Sequence, residues 1–133
     1  QLFPKETLLH NVKLALLGLD PVRWNPWTVL SARTAMTEAA HAALAQVGLD
    51  GSAERIVSET SYGELRRLEF AMALAQKPKV LLLDEPLAGL SQEERKTLSA
   101  LLKTIPRDVT IVMIEHDMDT ALEFAERITL LHY

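Results

Sequence analysis

Residues 79–131 alternate between aliphatic runs and helix-length segments, so an α/β fold built on parallel strands is the expectation. Three observations carry it. The octapeptide Lys79-Val80-Leu81-Leu82-Leu83-Asp84-Glu85-Pro86 holds four consecutive aliphatics without a polar interruption, the pattern of a strand buried on both faces. Further aliphatic stretches over 109–114 and 128–131 complete a strand–helix–strand–helix–strand order, which implies right-handed crossovers between parallel neighbours. The residues before Pro78, in contrast, are dominated by alanine- and leucine-rich helical patterns.

Taken in order, residues 5–17 place Leu8, Leu9, Val12 and Leu16 at helical spacing, with Thr7 as a cap. Residues 18–27 are turn-rich, with Pro21, Pro26, Trp24 and Trp27. A polar loop has no need of two tryptophans, so they either plug a small core or face a partner. Residues 31–47 form an alanine-rich helix closed by Gly48, and 53–59 make a short helix or connector. From Ser61 to Ala75 a helix carries the stripe Leu65, Leu68, Met72, Ala75, and Gln76-Lys77-Pro78 ends it. After the 80–83 strand, Ser91 caps a helix over 92–104 whose first turn holds Glu93 and Glu94, where the helix dipole favours acids. Asp117 caps a last helix running through Glu126, between the strands of 109–114 and 128–131.

Composition narrows the function. The 133 residues have a formal net charge of -4, which argues against a broad basic face for nucleic acid. There is no cysteine, hence no disulfide framework and no thiolate metal site. The apolar run from Leu14 to Leu19 falls far short of the roughly 18 residues that cross a bilayer.

Asp84 and Glu85 stand at the carboxyl end of the first strand, where open α/β sheets place ligand chemistry, while Pro86 stops the ladder. Read alone, the octapeptide fits a core strand ending in a solvated acidic turn equally well. Glu115 and His116 end the second strand in the same way. If the two strands are neighbours, their ends lie about 4.8 Å apart, and three acids and a histidine converge on one edge. His10, His41 and His132 have no partner at ligand spacing and read as ordinary residues.

These pieces together resemble the ATPase subunit of ABC transporters. Residues 80–85 resemble its Walker B strand, and Ser61-Tyr62-Gly63-Glu64 its signature, followed by Arg66-Arg67. Leu87-Ala88-Gly89-Leu90-Ser91 stands at the D-loop position, and His116 before Asp117 at that of the switch histidine. The resemblance implies the C-terminal part of a P-loop NTPase (RecA-like) core together with the helical subdomain of that family. It implies that Asp84 holds Mg2+, that Glu85 activates water, and that His116 contacts the γ-phosphate of ATP. Ser61, Tyr62, Gly63 and Glu64 would serve the nucleotide of the opposite subunit. The implied partners are a second ATPase subunit in a head-to-tail dimer, transmembrane permease subunits, and a substrate-binding protein indirectly. The implied location is the cytoplasmic face of the cell membrane.

The sequence also departs from the pattern. The commoner signature is Leu-Ser-Gly-Gly-Gln, where this chain has Thr60, Tyr62 and Glu64 at the first, third and fifth places, and Ser91 replaces the aspartate that usually ends the D-loop. The Tyr-Gly pair, the Arg-Arg-Leu-Glu run and Ile-Glu-His-Asp-Met are most similar to ATPases of branched-chain amino acid importers. No Gly-x-x-x-x-Gly-Lys-[Ser/Thr] occurs, since none of the five glycines precedes a lysine. The expectation is therefore a fragment: residues 1–59 as helical subdomain, 60–133 as signature helix and back half of the core. Such a fragment would be inactive alone, and its strand at 128–131, without a P-loop strand beside it, would pair elsewhere, shift or fray. A scaffold derived from such an ATPase, or a piece of a DNA-repair ABC ATPase, are the alternatives. The retained Asp84, Glu85 and His116 favour the transporter, because a scaffold has no physical need for them.

Overall fold

The computed structural model describes residues 2–18 and 29–130, with side chains from 34 onward in the second stretch. Trp24, Trp27 and His132 lie outside the described residues. The chain forms two compact units divided between Pro78 and Lys79.

The first unit packs three helices pairwise: α1 (Leu8–Leu17), α2 (Val29–Gln46) and α3 (Tyr62–Ala75). Helix α1 starts at Leu8, directly after the expected Thr7 cap: Thr7 is extended and its hydroxyl accepts the His10 amide at 3.1 Å. The stretch before it runs back along residues 53–58. Leu8 N donates to Arg55 O and Leu9 N to Ala53 O, while Val57 N donates to Glu6 O and Ser58 N to Pro4 O, all within 2.9–3.0 Å. The connector expected over 53–59 thus ends in a 3-10 turn, Val57–Glu59, follows another at Asp50–Ser52, and is stitched to the start of α1 through a Thr7–Ile56 bridge.

Gly48 ends α2 in the left-handed conformation (φ +68°), as its place after the alanine-rich run requires. Arg67 Nη1 donates to the carbonyls of Val47 and Gly48 at 3.0 and 3.3 Å, satisfying acceptors that the helix end leaves open. Helix α3 contacts both α1 and α2, so its buried arc is wide: Gly63, Leu68, Phe70 and Ala71 are buried, whereas Leu65, Met72 and Ala75 of the expected stripe are half-buried. Leu8, Leu9, Val12, Leu44, Leu49 and Leu68 form the heart of this unit's core.

In the second unit β1 (Val80–Asp84) pairs in parallel with β2 (Thr110–Ile114), with Asp84 opposite Ile114. Between them lies α4 (Gln92–Lys103), capped by Ser91 in a reciprocal box with Glu94. Helix α5 (Met118–Phe124) follows β2 and is capped by the Asp117 carboxylate, which accepts the amides of Asp119 and Thr120. Leu81, Leu87, Leu90, Leu98, Leu101, Leu102 and Ile105 are buried here.

Three sequence expectations need correction. The 80–83 strand is not buried on both faces: Leu81 is covered, but Leu82 is 74% exposed. Side chains alternate along a strand, and the register puts Val80, Leu82, Val112 and Ile114 on one face that the described residues leave open. The third strand is absent as far as residue 130; the described sheet has two strands. Strand geometry needs a ladder partner, and residues 128–130 have none among the described residues. Finally, α5 stops at Phe124, two residues early, because Ala125 is extended.

Candidate functional site

The parallel pairing of β1 with β2 brings the two acidic strand ends side by side. Glu85 N donates to Ile114 O at 2.9 Å, so the ladder runs one residue past β1. There the chain turns sharply. Glu85 has φ +43°, a left-handed conformation that costs a non-glycine residue about 1–3 kcal/mol. Ala88 N closes the turn onto Glu85 O at 3.1 Å, and Gly89 supplies a second positive φ. In that setting Glu85 Oε1 lies 3.1 Å from His116 Nδ1. The two side chains are 46% and 73% exposed, open to a substrate and to water.

Asp84 precedes Glu85 on the same edge and is exposed. Between Ile114 and His116, Glu115 holds its Oε1 buried without a hydrogen-bond partner among the described residues. No group of three or more His, Cys, Asp or Glu side chains that could hold a metal occurs among the described residues. Mg2+ nevertheless fits Asp84 as a partial set, since this ion takes oxygen ligands, keeps several waters and is completed by substrate phosphates.

The signature-like residues sit in the first unit, at the start of α3. Ser61 Oγ accepts Glu64 N at 3.2 Å, while Glu64 Oε2 accepts Ser61 N at 2.8 Å. The other Glu64 oxygen accepts Arg55 Nη2. Burial works to raise the Glu64 carboxyl, but the Arg55 and Ser61 bonds outweigh it and hold the group below its ordinary value. Tyr62, which stands where the commoner signature has glycine, is held from the side: its hydroxyl accepts Arg66 Nε and Nη2 at 3.0 and 2.8 Å. The guanidinium also reaches Glu69 at 2.9 Å. Partial burial of Arg66 opposes its charge, yet these two partners shift its pKa upward.

The structure therefore joins Glu85 to His116, sets Asp84 beside them, and gathers Ser61, Tyr62, Gly63 and Glu64 at a helix start. Two residues that sequence reasoning passed over are prominent in the first unit. Arg55 has no periodic relation to Glu64, so nothing in the pattern marks it. Asn11 lies fully buried on the apolar side of α1, and only a polar residue interrupting a leucine stripe could have signalled it.

Parallel strands carrying acids at their carboxyl ends, with a helix crossing between them, fit part of a P-loop NTPase core. Solved structures support that fold. A metal-chelate type ABC transporter in an inward-facing conformation matches with a TM-score of 0.77 at 22% identity, over 91% of this chain and 47% of that one. An ATP-binding cassette captured as a dimer in a post-hydrolysis state with ADP and Pi matches with a TM-score of 0.75 at 25% identity, over 93% of this chain and 52% of that one.

The chain belongs to the ABC transporter family, whose sequence profile matches residues 1–88. Curated relatives carry several substrate names. A spermidine/putrescine import ATP-binding protein of Mycoplasma mycoides is 43% identical over 65% of this chain and 25% of its own length. A sulfate/thiosulfate import ATP-binding protein of Burkholderia mallei is 38% identical over 99% of this chain and 36% of its own. A high-affinity branched-chain amino acid transport ATP-binding protein of Pseudomonas aeruginosa is 38% identical over 77% and 40%. The chain thus spans about a quarter to two fifths of the length of these relatives. Branched-chain amino acids are one of several substrates named among these relatives, all of them ATP-binding proteins of transport systems.

Proposed function

We propose that this chain is the part of an ABC importer's ATPase subunit that carries the water-activating and signature residues, and that it powers uptake of a small solute of the branched-chain amino acid type. The observation that carries this reading is the 3.1 Å contact between Glu85 and His116 at the carboxyl edge of neighbouring parallel strands. Glu85 accepts a proton from the attacking water, a task typically worth about 10²–10⁴-fold in rate. His116 orients the Glu85 carboxylate through Nδ1 and leaves its other ring nitrogen for the terminal phosphate. Asp84 supplies the hard oxygen for Mg2+, which when bound neutralises charge on the β- and γ-phosphates of ATP. Ser61, Tyr62, Gly63 and Glu64 open α3; the capping box occupies the Ser61 and Glu64 amides, and the Tyr62 and Gly63 amides with the helix dipole suit an anion brought by a second subunit arranged head to tail.

Membrane permease subunits and, through them, a substrate-binding protein are the further partners. In this reading the subunit sits peripherally on the cytoplasmic face of the cell membrane. The test is ATP turnover by the full-length gene product with its permease. Glu85→Gln lowers turnover at least about 100-fold while nucleotide binding persists. Turnover within a factor of about two of the parent would overturn the assignment.

A further inference from the structure

The Glu64 carboxylate is divided between two elements. One oxygen accepts the Ser61 amide at 2.8 Å and so belongs to the cap of α3. The other accepts Arg55 Nη2, from the connector nine residues upstream. Because the two oxygens go to different donors, the guanidinium is not gripped as a fork, and Arg55 Nε is buried without a partner among the described residues. The pair is largely sheltered, with side-chain exposures of 35% and 19%.

Arg55 is itself anchored from the other side. Its carbonyl accepts Leu8 N at 3.0 Å, and the neighbouring bonds Leu9 N to Ala53 O, Val57 N to Glu6 O and Ser58 N to Pro4 O tie residues 53–58 to residues 4–9. Asn11 in turn holds Phe3 by both its amide and its carbonyl. A continuous line of hydrogen bonds therefore runs from Phe3, through the connector and Arg55, to Glu64 and the Ser61 cap.

We propose that Arg55 and Glu64 are positioning residues, a clamp that fixes the Ser61-Tyr62-Gly63 turn relative to residues 3–7, so that displacing either end moves the other. A glutamine at position 64 keeps one acceptor oxygen. It can serve the cap or the guanidinium, but it cannot give each its own oxygen. The carboxylate is what lets position 64 do both. The clamp's relevance to turnover rests on reading the α3 start as a phosphate-facing turn; its mechanics do not.

The test is amide hydrogen exchange on this chain without nucleotide, comparing the parent with Glu64→Gln, Arg55→Gln and the double variant. Neither side chain has a hydrogen bond to the Val57 or Ser58 amide, whose acceptors are Glu6 O and Pro4 O. The clamp predicts that each single variant speeds exchange at those two amides about fivefold, and that the double variant adds little to either single one. Core amides of α2 in the same unit, around the fully buried Leu44, stay unchanged and certify that this unit is folded. Two results would overturn the proposal: exchange at Val57 and Ser58 that stays at parent rates in both single variants, or single effects that multiply in the double. Should Glu64→Gln perturb the cap too strongly to read, Arg55→Lys provides the second arm. It keeps a positive donor for Glu64 and should restore slow exchange at least in part; exchange as fast as in Arg55→Gln would count against the clamp. Since ATP plays no role in the measurement, its failure leaves the nucleotide reading intact, and the reverse also holds.

Discussion

Asn11→Ala offers the sharpest test of how the first unit is held together. Asn11 is fully buried, and its side chain makes three bonds: Oδ1 accepts Phe3 N at 2.8 Å, and Nδ2 donates to Phe3 O at 3.1 Å and Thr7 O at 2.9 Å. At about 1 kcal/mol for each intramolecular hydrogen bond, the gross loss is about 3 kcal/mol. Two features reduce it. Phe3 is half-exposed, so water can reach its backbone once the side chain is gone, and Thr7 O still accepts Asn11 N at 3.0 Å. The expected net loss is about 2 kcal/mol, enough to change a folding equilibrium about 30-fold. Urea unfolding followed on α1 and α2 amide resonances reads the first unit apart from the second. Asn11→Asp sharpens the case: at neutral pH it turns a carboxylate oxygen toward two carbonyls, and the damage eases in acid, where the protonated group can donate. A loss below about 0.5 kcal/mol for Asn11→Ala, the range of a neutral surface change, would refute the reasoning.

Other expectations follow from single features. Gly48→Ala forces a side chain into φ +68° and brings its Cβ to 3.4 Å from Arg67 Nη1; the loss should be about 1–2 kcal/mol by urea unfolding, whereas an unchanged midpoint would mean that the turn relaxes freely. Leu98→Ala removes a fully buried side chain from the second unit and should cost about 2–5 kcal/mol; loss of α4 amide protection in hydrogen exchange measures it. The Thr120 amide first, then the Asp119 amide, hold the Asp117 carboxyl below its ordinary 3.8. Its cap on α5 is therefore complete above that value and is lost only as pH falls through the lower folded-state value. A carbon-detected NMR titration with a midpoint at or above 3.8 would contradict the capping role.

Much of this was legible from residue order. Caps at Thr7, Ser91 and Asp117 and the closing Gly48 are local devices, each set by a residue and its next few neighbours, and the structure has all four. The neighbouring of β1 and β2 was legible as well, since two aliphatic runs joined by one helix leave few alternatives. Burial was less so. An aliphatic run reports what a strand can be covered by, and the described residues leave Leu82, Val112 and Ile114 uncovered. The strand expected at 128–131 depended in the same way on a distant partner. The placing of Asp84, Glu85 and His116 at neighbouring strand ends was readable, because they follow closely on aliphatic runs. The Arg55–Glu64 pair joins residues with no pattern in common, and no local rule reaches it.

The account turns on Glu85 and His116 acting as one unit on ATP. A double-mutant cycle in the full-length gene product tests this most directly, with Glu85→Gln, His116→Ala and both together. If the 3.1 Å contact is part of the catalytic arrangement, each single change lowers turnover at least about 100-fold, and the double falls little below the worse single variant. Losses that multiply, or a His116→Ala enzyme that keeps its turnover, would contradict the account.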